Sequence, residues 1–322
     1  MAKGSSFSEV LSPQGVLAAP LSSVGGKAAT LARMIQKGIQ VPDFFCVSSA
    51  AFVRHLSANE IGWPESVDLT TDIDLLRGVR AQIIEAPVPA AVRQQALEAY
   101  NCLCSKRGHG KVAVRSSGGE EDSASTSFAG QFSSLLGVEG SADLLDALKE
   151  CWASYLSDRS VRYRAHQGIP LSPAPSFGVV VQALVFAEKA GVLFTEHPID
   201  PDLDVSYIEA NFGTGESVVG GLTTPDSITI SRSTGEVVEQ NVATKRRMTL
   251  VTLESKGSSE VEVEDFRRTS PVLTESEALE IFRVGCRIEQ LMGAPQDVEW
   301  AFDPEGLWIL QSRPLTAPGR KS

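Results

Sequence analysis

The chain has 322 residues, of which 42% are hydrophobic, 21% charged and 7% aromatic, a composition that excludes disorder and coiled coil. Its 29 Lys and Arg against 40 Asp and Glu leave a net charge of −11, which repels a polyanion and excludes nucleic acid as a partner. A small anionic ligand stays possible, because a few local cations and backbone amides can hold one inside an acidic protein.

Residues 25–38, GGKAATLARMIQKG, place Ala28, Leu31, Ala32 and Ile35 at helical spacing and end on Gly38, a C-cap position. The helix opens on Gly25-Gly26-Lys27. Two glycines let the backbone approach a ligand closely, the helix terminus offers N–H groups and partial positive charge, and the lysine adds a full charge. This is either a phosphate site or a glycine cap beside a surface lysine; the Walker A pattern is absent. Segment 56–76 carries no usable pattern and reads as a surface loop.

From residue 110 onward short strands alternate with loops and helices, which predicts a mixed α+β or α/β fold. Lys111–Arg115 is an apolar strand that delivers a guanidinium to the Ser/Gly-rich stretch Ser116–Asp122, continuing to Ser127–Gln131. Arg115 either meets phosphate oxygens there or pairs with Glu121 or Asp122. Residues 141–165 read as helical, with Leu144, Leu145, Leu148, Trp152 and Leu156 on one face. Phe177–Phe186 is an apolar strand enclosing Gln182, which is either the amide beside an adenine slot or a satisfied core amide. Strands follow at Gly191–Thr195, Ser206–Ala210 and Ser227–Ser231. Glu209, just ahead of the Gly213-Thr214-Gly215 turn, either takes ribose hydroxyls or a metal, or stands before ordinary turn glycines.

Segment 251–272 again reads as surface loop. A second clear helix covers about 276–291, with Thr274 and Glu277 spaced as a capping box and Ile281, Phe282, Ile288 and Leu291 inward. The described pattern closes on a hairpin, Val298–Phe302 and Leu307–Gln311 around Asp303-Pro304-Glu305-Gly306. A symmetric two-residue turn sets Glu299 and Gln311 on opposite faces. A one-residue bulge, which Gly306 makes easy, sets Glu299 against Gln311 and Asp297 against Arg313 on one face. That face then offers hard oxygens beside a cation, as Mg²⁺ and a triphosphate require. Residues 317–322 read as a flexible tail.

The five cysteines, Cys46, Cys102, Cys104, Cys151 and Cys286, form no CxxC pair and fit reduced thiols. The segment MAKGSSFSEVLSPQG lacks the apolar stretch of a signal peptide, and the longest apolar run is too short for a membrane span, so a cytoplasmic protein without membrane contact is expected. His55, His109, His166 and His197 have no zinc-type spacing and read as structural.

Five segments, GGKAATLARM with GIQVPDFFCVSSAAF, VAVRSSGGEEDSASTSFAGQ, VVVQALVFAEKAGVLFTEHP, EANFGTGESVVGGLTTPD and PQDVEWAFDPEGLWILQSRPLT, stand in one order from about Ser23 to Thr316. Together they resemble the ATP-grasp nucleotide-binding domain of the phosphoenolpyruvate synthase and pyruvate phosphate dikinase family, also used by rifampin phosphotransferase. The resemblance implies a two-lobed fold with the nucleotide cleft between the lobes. Residues 1–182 would form an N-terminal lobe with the phosphate-binding Lys/Arg loops and 183–316 a C-terminal lobe for metal and nucleotide.

The cofactors implied are ATP and Mg²⁺. Lys27 and Arg115 would lie on the phosphates, Gln182, Ala183, Leu184 and Val185 along the adenine edge, and Glu209 near the ribose. Glu299 and Gln311 would hold Mg²⁺, with Arg313 on the phosphates. Catalysis by Lys27, Arg115 and Arg313 would be orientation and charge stabilisation. Gly118-Gly119 and Ser125 depart from residues common in the family, and Thr214 replaces a frequent leucine, changes expected to alter loop stiffness and not reaction class.

The family charges a histidine on a separate swivelling domain, within a Thr-x-Gly-Gly-type segment, and none of the four histidines here lies in one. A stand-alone ATP module is therefore expected, transferring a phosphoryl or pyrophosphoryl group to a small molecule or to a histidine on a partner protein. The alternatives are an ATP-grasp ligase forming an acyl phosphate, and a non-catalytic nucleotide-binding subunit.

Overall fold

The computed structural model describes residues 8–64, 67–118, 122–123, 126–127, 134–171, 176–219, 221 and 223–315. Most of the Ser/Gly-rich loop after Arg115, including Glu121 as its candidate ion-pair partner, and the tail 317–322 lie outside the described residues. The chain forms two compact units, Met1–Ala32 with Asp43–Ala183, and Arg33–Pro42 with Leu184–Ser322.

In the first unit β1 (Val10–Leu11), α1 (Pro13–Ala18) and α2 (Leu21–Gln36, its last turn in the second unit) precede β2 (Phe44–Val47). Then come α3 (Ser49–Ala58), α4 (Ile73–Glu85), α5 (Ala90–Arg107), β3 (Lys111–Gly118), β4 (Asp122–Ser123), β5 (Thr126–Ser127), β6 (Ser134–Glu139), α6 (Ser141–Ser154), α7 (Asp158–Gln167) and β7 (Phe177–Ala183). The main sheet is antiparallel in the order β1-β2-β7-β3-β6.

Strand alternation gives this sheet two different faces. Phe45, Val47, Val112, Val114, Val179 and Val181 point into the helix-covered core, where Phe52 and Trp152 stack at 5.4 Å between ring centroids. Burying each such side chain contributes about 1.5–3 kcal/mol, so this face holds the unit together. Phe44, Cys46, Ala113, Arg115, Ser117, Gly178 and Gln182 alternate onto the opposite face.

Segment 56–76 is not the expected surface loop. Residues 56–58 close α3, residues 73–76 open α4, and Leu56, Ile61 and Leu76 are buried in the core. Residues 141–165 are helical as expected, divided into α6 and α7, because Ser157 caps α7 by accepting the Ser160 N–H at 3.2 Å.

The second unit contains β8 (Lys189–Phe194), β9 (Val205–Phe212), α8 (Glu216–Val219), β10 (Asp226–Ser231), β11 (Val237–Asn241), β12 (Arg247–Leu250) and β13 (Ser259–Glu262). A 3₁₀ turn (Asp265–Arg267), α9 (Glu275–Met292), β14 (Gln296–Asp303) and β15 (Gly306–Pro314) complete it. Its main sheet is antiparallel in the order β11-β10-β9-β8-β14-β15. The capping box on α9 forms as the spacing requires, with both Thr274 and Glu277 engaged.

Helix α9 covers one face of this sheet so closely that a Cβ on Gly285 would stand 2.1 Å from Leu193 Cδ2. Segment 251–272 also departs from a plain loop, since it carries β13 and the 3₁₀ turn and buries Val263 and Val272. It is tied inward by the wholly buried pair Lys245–Asp226, 2.5 Å apart, whose carboxylate also accepts the Val272 N–H at 2.8 Å. Among the described residues no helix is long and apolar enough to cross a membrane.

Candidate functional site

Two groups of polar side chains emerge, one in each unit. In the first unit, α2 breaks at Gly25, whose φ of 77° and ψ of 171° suit glycine alone, and the helix restarts at Gly26. The break docks on the end of β3, where the Ala28 N–H donates to Ser117 Oγ at 3.1 Å. Lys27 is thereby carried to the sheet face that holds Arg115 and Gln182, and it is only 6% exposed. A surface lysine is ruled out by that burial.

Gln182 is 2% exposed, opposite Phe44 on one side and Ala113 on the other. Arg115 stands opposite Val180 and Ser134. The strand expected over Phe177–Phe186 ends at Ala183, whose N–H already donates to Asp43 O at 2.8 Å. Leu184 and Val185 belong to the second unit, where Val185 packs with Ala187, Ala190, Ala301 and Trp308 in a small apolar cluster. An isolated glycine inside a strand signals a close backbone approach, and Gly178 fulfils it: a Cβ there would lie 2.7 Å from Val24 O. That signal was legible, whereas Ser117 as the docking partner of the double glycine was not.

In the second unit the β14–β15 hairpin adopts the bulged register. Glu299 stands opposite Gln311 and Asp297 opposite Arg313, with the irregularity between Glu299 and Trp300. The extra residue of the bulge is Leu310, well away from Gly306, which pairs regularly with Asp303 at the turn. The extra residue therefore sits beside the polar group itself.

The ladder carries these residues across the sheet in rows. Gln311, Glu299, Val192 and Glu209 form one row over β15, β14, β8 and β9; Arg313, Asp297, Phe194 and Tyr207 form the next. Both rows lie on the face opposite Leu193 and α9, and the Ala190–Ala301–Trp308 cluster continues that face. Glu209, Asp297, Glu299, Gln311 and Arg313 are thus brought together on one sheet surface. Lys27, Arg115 and Gln182 are brought together on another.

Electrostatics sharpens the second group. Asp297 Oδ2 accepts from Arg313 Nε at 2.9 Å and Nη2 at 2.6 Å, which fixes the guanidinium in place. Burial pushes the Asp297 carboxyl above its ordinary value; Arg313 opposes that rise and Glu299 adds to it. Burial also raises Glu209, with the Asp297 charge contributing further. Gln311 is 5% exposed, and its Oε1 is buried with no hydrogen-bond partner among the described residues. Among those residues no group of three or more His, Cys, Asp or Glu is arranged to hold a metal unaided. A hard cation here would need oxygens from its substrate as well.

The Glu209 shift makes a pH prediction. A carboxyl raised by folding contributes stability that is complete below its unfolded value and lost as pH rises through the folded one. Glu209→Gln, which mimics the protonated form, is expected to unfold like wild type in urea near pH 4 and at higher denaturant than wild type at pH 7. Parallel pH profiles for the two proteins would refute the assignment.

Comparison with known proteins places these groups in a family context. Residues 21–322 match the family model described as pyruvate phosphate dikinase, AMP/ATP-binding domain. A rifampicin phosphotransferase of Streptomyces sp is 37% identical over 315 residues, covering 95% of this chain and 36% of that protein. A probable phosphoenolpyruvate synthase of Methanocaldococcus jannaschii is 36% identical over 305 residues, covering 91% of this chain and 25% of that protein. A phosphoenolpyruvate synthase of Aeropyrum pernix is 33% identical over 345 residues, covering 94% of this chain and 41% of that protein. The chain spans well under half the length of each of these relatives.

Proposed function

Because the chain belongs to the pyruvate phosphate dikinase AMP/ATP-binding domain family, we propose that it is an ATP- and Mg²⁺-dependent phosphotransferase built on an ATP-grasp fold. The observation that carries this reading is Gln311, whose buried Oε1 has no protein partner among the described residues and stands directly opposite Glu299. A buried carbonyl without a donor is costly, and a hard cation satisfies it. The donor set fits Mg²⁺, since amide and carboxylate oxygens are its preferred ligands and it completes its shell with phosphates and water.

Glu299 and Gln311 hold the metal in this reading. When bound, Mg²⁺ supplies neutralisation of phosphate charge. Lys27 and Arg115 bind and orient the phosphates in this reading. Arg313, held by Asp297, presents its guanidinium to them at a fixed position. In this reading the stretch Gln182–Val185 lines the base and Glu209 meets the ribose. With little covalent chemistry required of the protein, orientation and charge stabilisation carry the rate. The acceptor is a small molecule or a histidine on a partner protein, a reading supported by the phosphotransferase and synthase names of the longer relatives.

³¹P NMR of ATP and Mg²⁺ with the protein tests this, alone and then with candidate acceptors. AMP formation that depends on the acceptor is the expected result. ADP formation dependent on a carboxylate and an amine assigns a ligase instead, and ATP binding without turnover under every condition assigns a nucleotide-binding subunit. In the same assay Lys27→Ala removes a charge-assisted contact of about 1.5–3 kcal/mol, so ATP affinity or rate is expected to fall roughly 10- to 150-fold. Unchanged turnover in that variant would count decisively against the phosphate role.

A further inference from the structure

The bulge at Leu310 creates a register problem that the turn cannot solve. From Asp303–Gly306 to Trp300–Ile309 the hairpin is regular and its pairing follows from the turn. Beyond the bulge, the pairs from Glu299–Gln311 to Gln296–Pro314 are displaced by one residue. A slip that absorbed Leu310 into the ladder would restore regular pairing. It would also set Glu299 against Leu310 and Asp297 against Ser312, turning Gln311 and Arg313 to the opposite face.

The face under α9 carries the opposing device. Ser312 Oγ donates to Gln296 Oε1 at 2.8 Å, and Gln296 Nε2 donates to Ala294 O at 3.0 Å and Pro295 O at 3.1 Å. The Gln296 N–H donates to Thr195 Oγ1 at 2.9 Å, and Ser206 Oγ donates to Thr195 O at 2.8 Å. Ser206, Thr195, Gln296 and Ser312 are each 1–2% exposed. A buried polar string therefore crosses β9, the end of β8, β14 and β15, and every side-chain amide group of Gln296 is satisfied by it. In the slipped register Ser312 leaves this face, and Gln296 Oε1 loses its donor in a place water does not reach.

We infer that Gln296 and Ser312 are positioning residues: their buried side-chain hydrogen bond selects the bulged register and so brings Gln311 and Arg313 to the face that holds Glu299 and Asp297. The catalytic part of this inference rests on the proposed phosphotransferase reading. The register part does not, because hydrogen exchange reads it on the protein alone.

Ser312→Ala and Ser312→Thr, compared with wild type by amide hydrogen exchange without nucleotide, separate register from general stability. Losing a donor to a buried carbonyl is expected to shift the balance between registers roughly 5- to 150-fold. Ser312→Ala is then expected to lose protection over 296–299 and 311–313, while 300–303 and 307–309 keep theirs, and the threonine hydroxyl is expected to restore it. With ATP, Mg²⁺ and an acceptor that supports AMP formation, Ser312→Ala is expected to lower kcat/KM for ATP by a similar factor, because the slipped register withdraws Gln311 and Arg313 from the nucleotide. Should Ser312→Ala not fold, Thr195→Val, which strips the acceptor from the Gln296 N–H, is expected to open the same stretch. Equal loss across the whole hairpin, failure of threonine to restore protection, or lost protection with unchanged kcat/KM would each overturn the inference. A wild-type protein that neither binds nor turns over ATP sinks the phosphotransferase reading and leaves the exchange result to decide the register.

Discussion

Gly25→Ala is expected to destabilise the first unit by about 3–5 kcal/mol, the range of a backbone clash added to a glycine-only conformation. The φ of 77° with ψ of 171° already penalises any side chain. An ideal Cβ at this position would sit 1.8 Å from Ser117 O and 2.3 Å from Ser117 C. Both atoms are backbone in β3, so no rotamer change relieves the overlap, and either α2 lifts or the end of β3 moves. Lifting α2 breaks the Ala28 N–H to Ser117 Oγ bond and exposes Lys27. Stability and the Lys27 contribution to ATP affinity should therefore fall together.

Gly38→Ala supplies the control. Gly38 also has a positive φ, 69°, but a Cβ there meets nothing within 4 Å. That variant pays only the left-handed conformation, about 1–2 kcal/mol. Urea unfolding of the two variants isolates the docking contact as their difference. If Gly25→Ala unfolds within 1 kcal/mol of Gly38→Ala, using the ~1 kcal/mol scale of ordinary surface changes as the margin, the double glycine is a plain helix start and the docking argument fails.

How far the sequence could be read depended on the range of the interaction involved. The Thr274–Glu277 capping box and the Gly38 helix end are local, settled within one turn of chain, and both form as read. In the second unit β8, β9, β10, β14 and β15 were legible within two or three residues, whereas β11, β12 and β13, each four or five residues long, gave no signal. By contrast α5 buries only Val92, Ala96, Tyr100 and Leu103, a narrow stripe among alanines and polar residues, so its pattern gave no signal. The 56–76 segment hid Leu56 and Ile61 for the same reason, each between polar or glycine neighbours, and Leu76 beside the exposed Leu75.

The site divided likewise. Sequence spacing allowed two hairpin registers and could not choose, since the choice rests on contacts between residues 16 apart, such as Ser312 with Gln296. The alignment of Glu209 and Glu299 in one row was beyond any local pattern, because it depends on β8 lying between β9 and β14. Burial of Lys27 was equally hidden, since Ser117 lies 89 residues from the Ala28 N–H that it receives.

Glu299→Gln is expected to lower Mg²⁺-dependent turnover by roughly 10²–10³-fold, about 3–4 kcal/mol of charge stabilisation, without lowering stability. The two halves of that statement have one cause. Glu209, Asp297 and Glu299 put three carboxylates on one sheet face against the Arg313 cation. Glu299 helps to push the Asp297 carboxyl upward, so in the protein without metal it repels a neighbour. Replacing it by an isosteric amide relieves the repulsion and keeps the side-chain volume, which leaves the unfolding free energy unchanged or slightly higher. The same change removes the one full negative charge directly opposite Gln311, and with it the attraction that a divalent cation needs. A site kept at some cost to stability is what a binding role predicts. A structural role predicts the reverse pairing, with stability and turnover lost in proportion. Urea unfolding beside Mg²⁺-titrated turnover distinguishes them, and a variant with wild-type turnover and wild-type Mg²⁺ dependence would remove Glu299 from the metal site altogether.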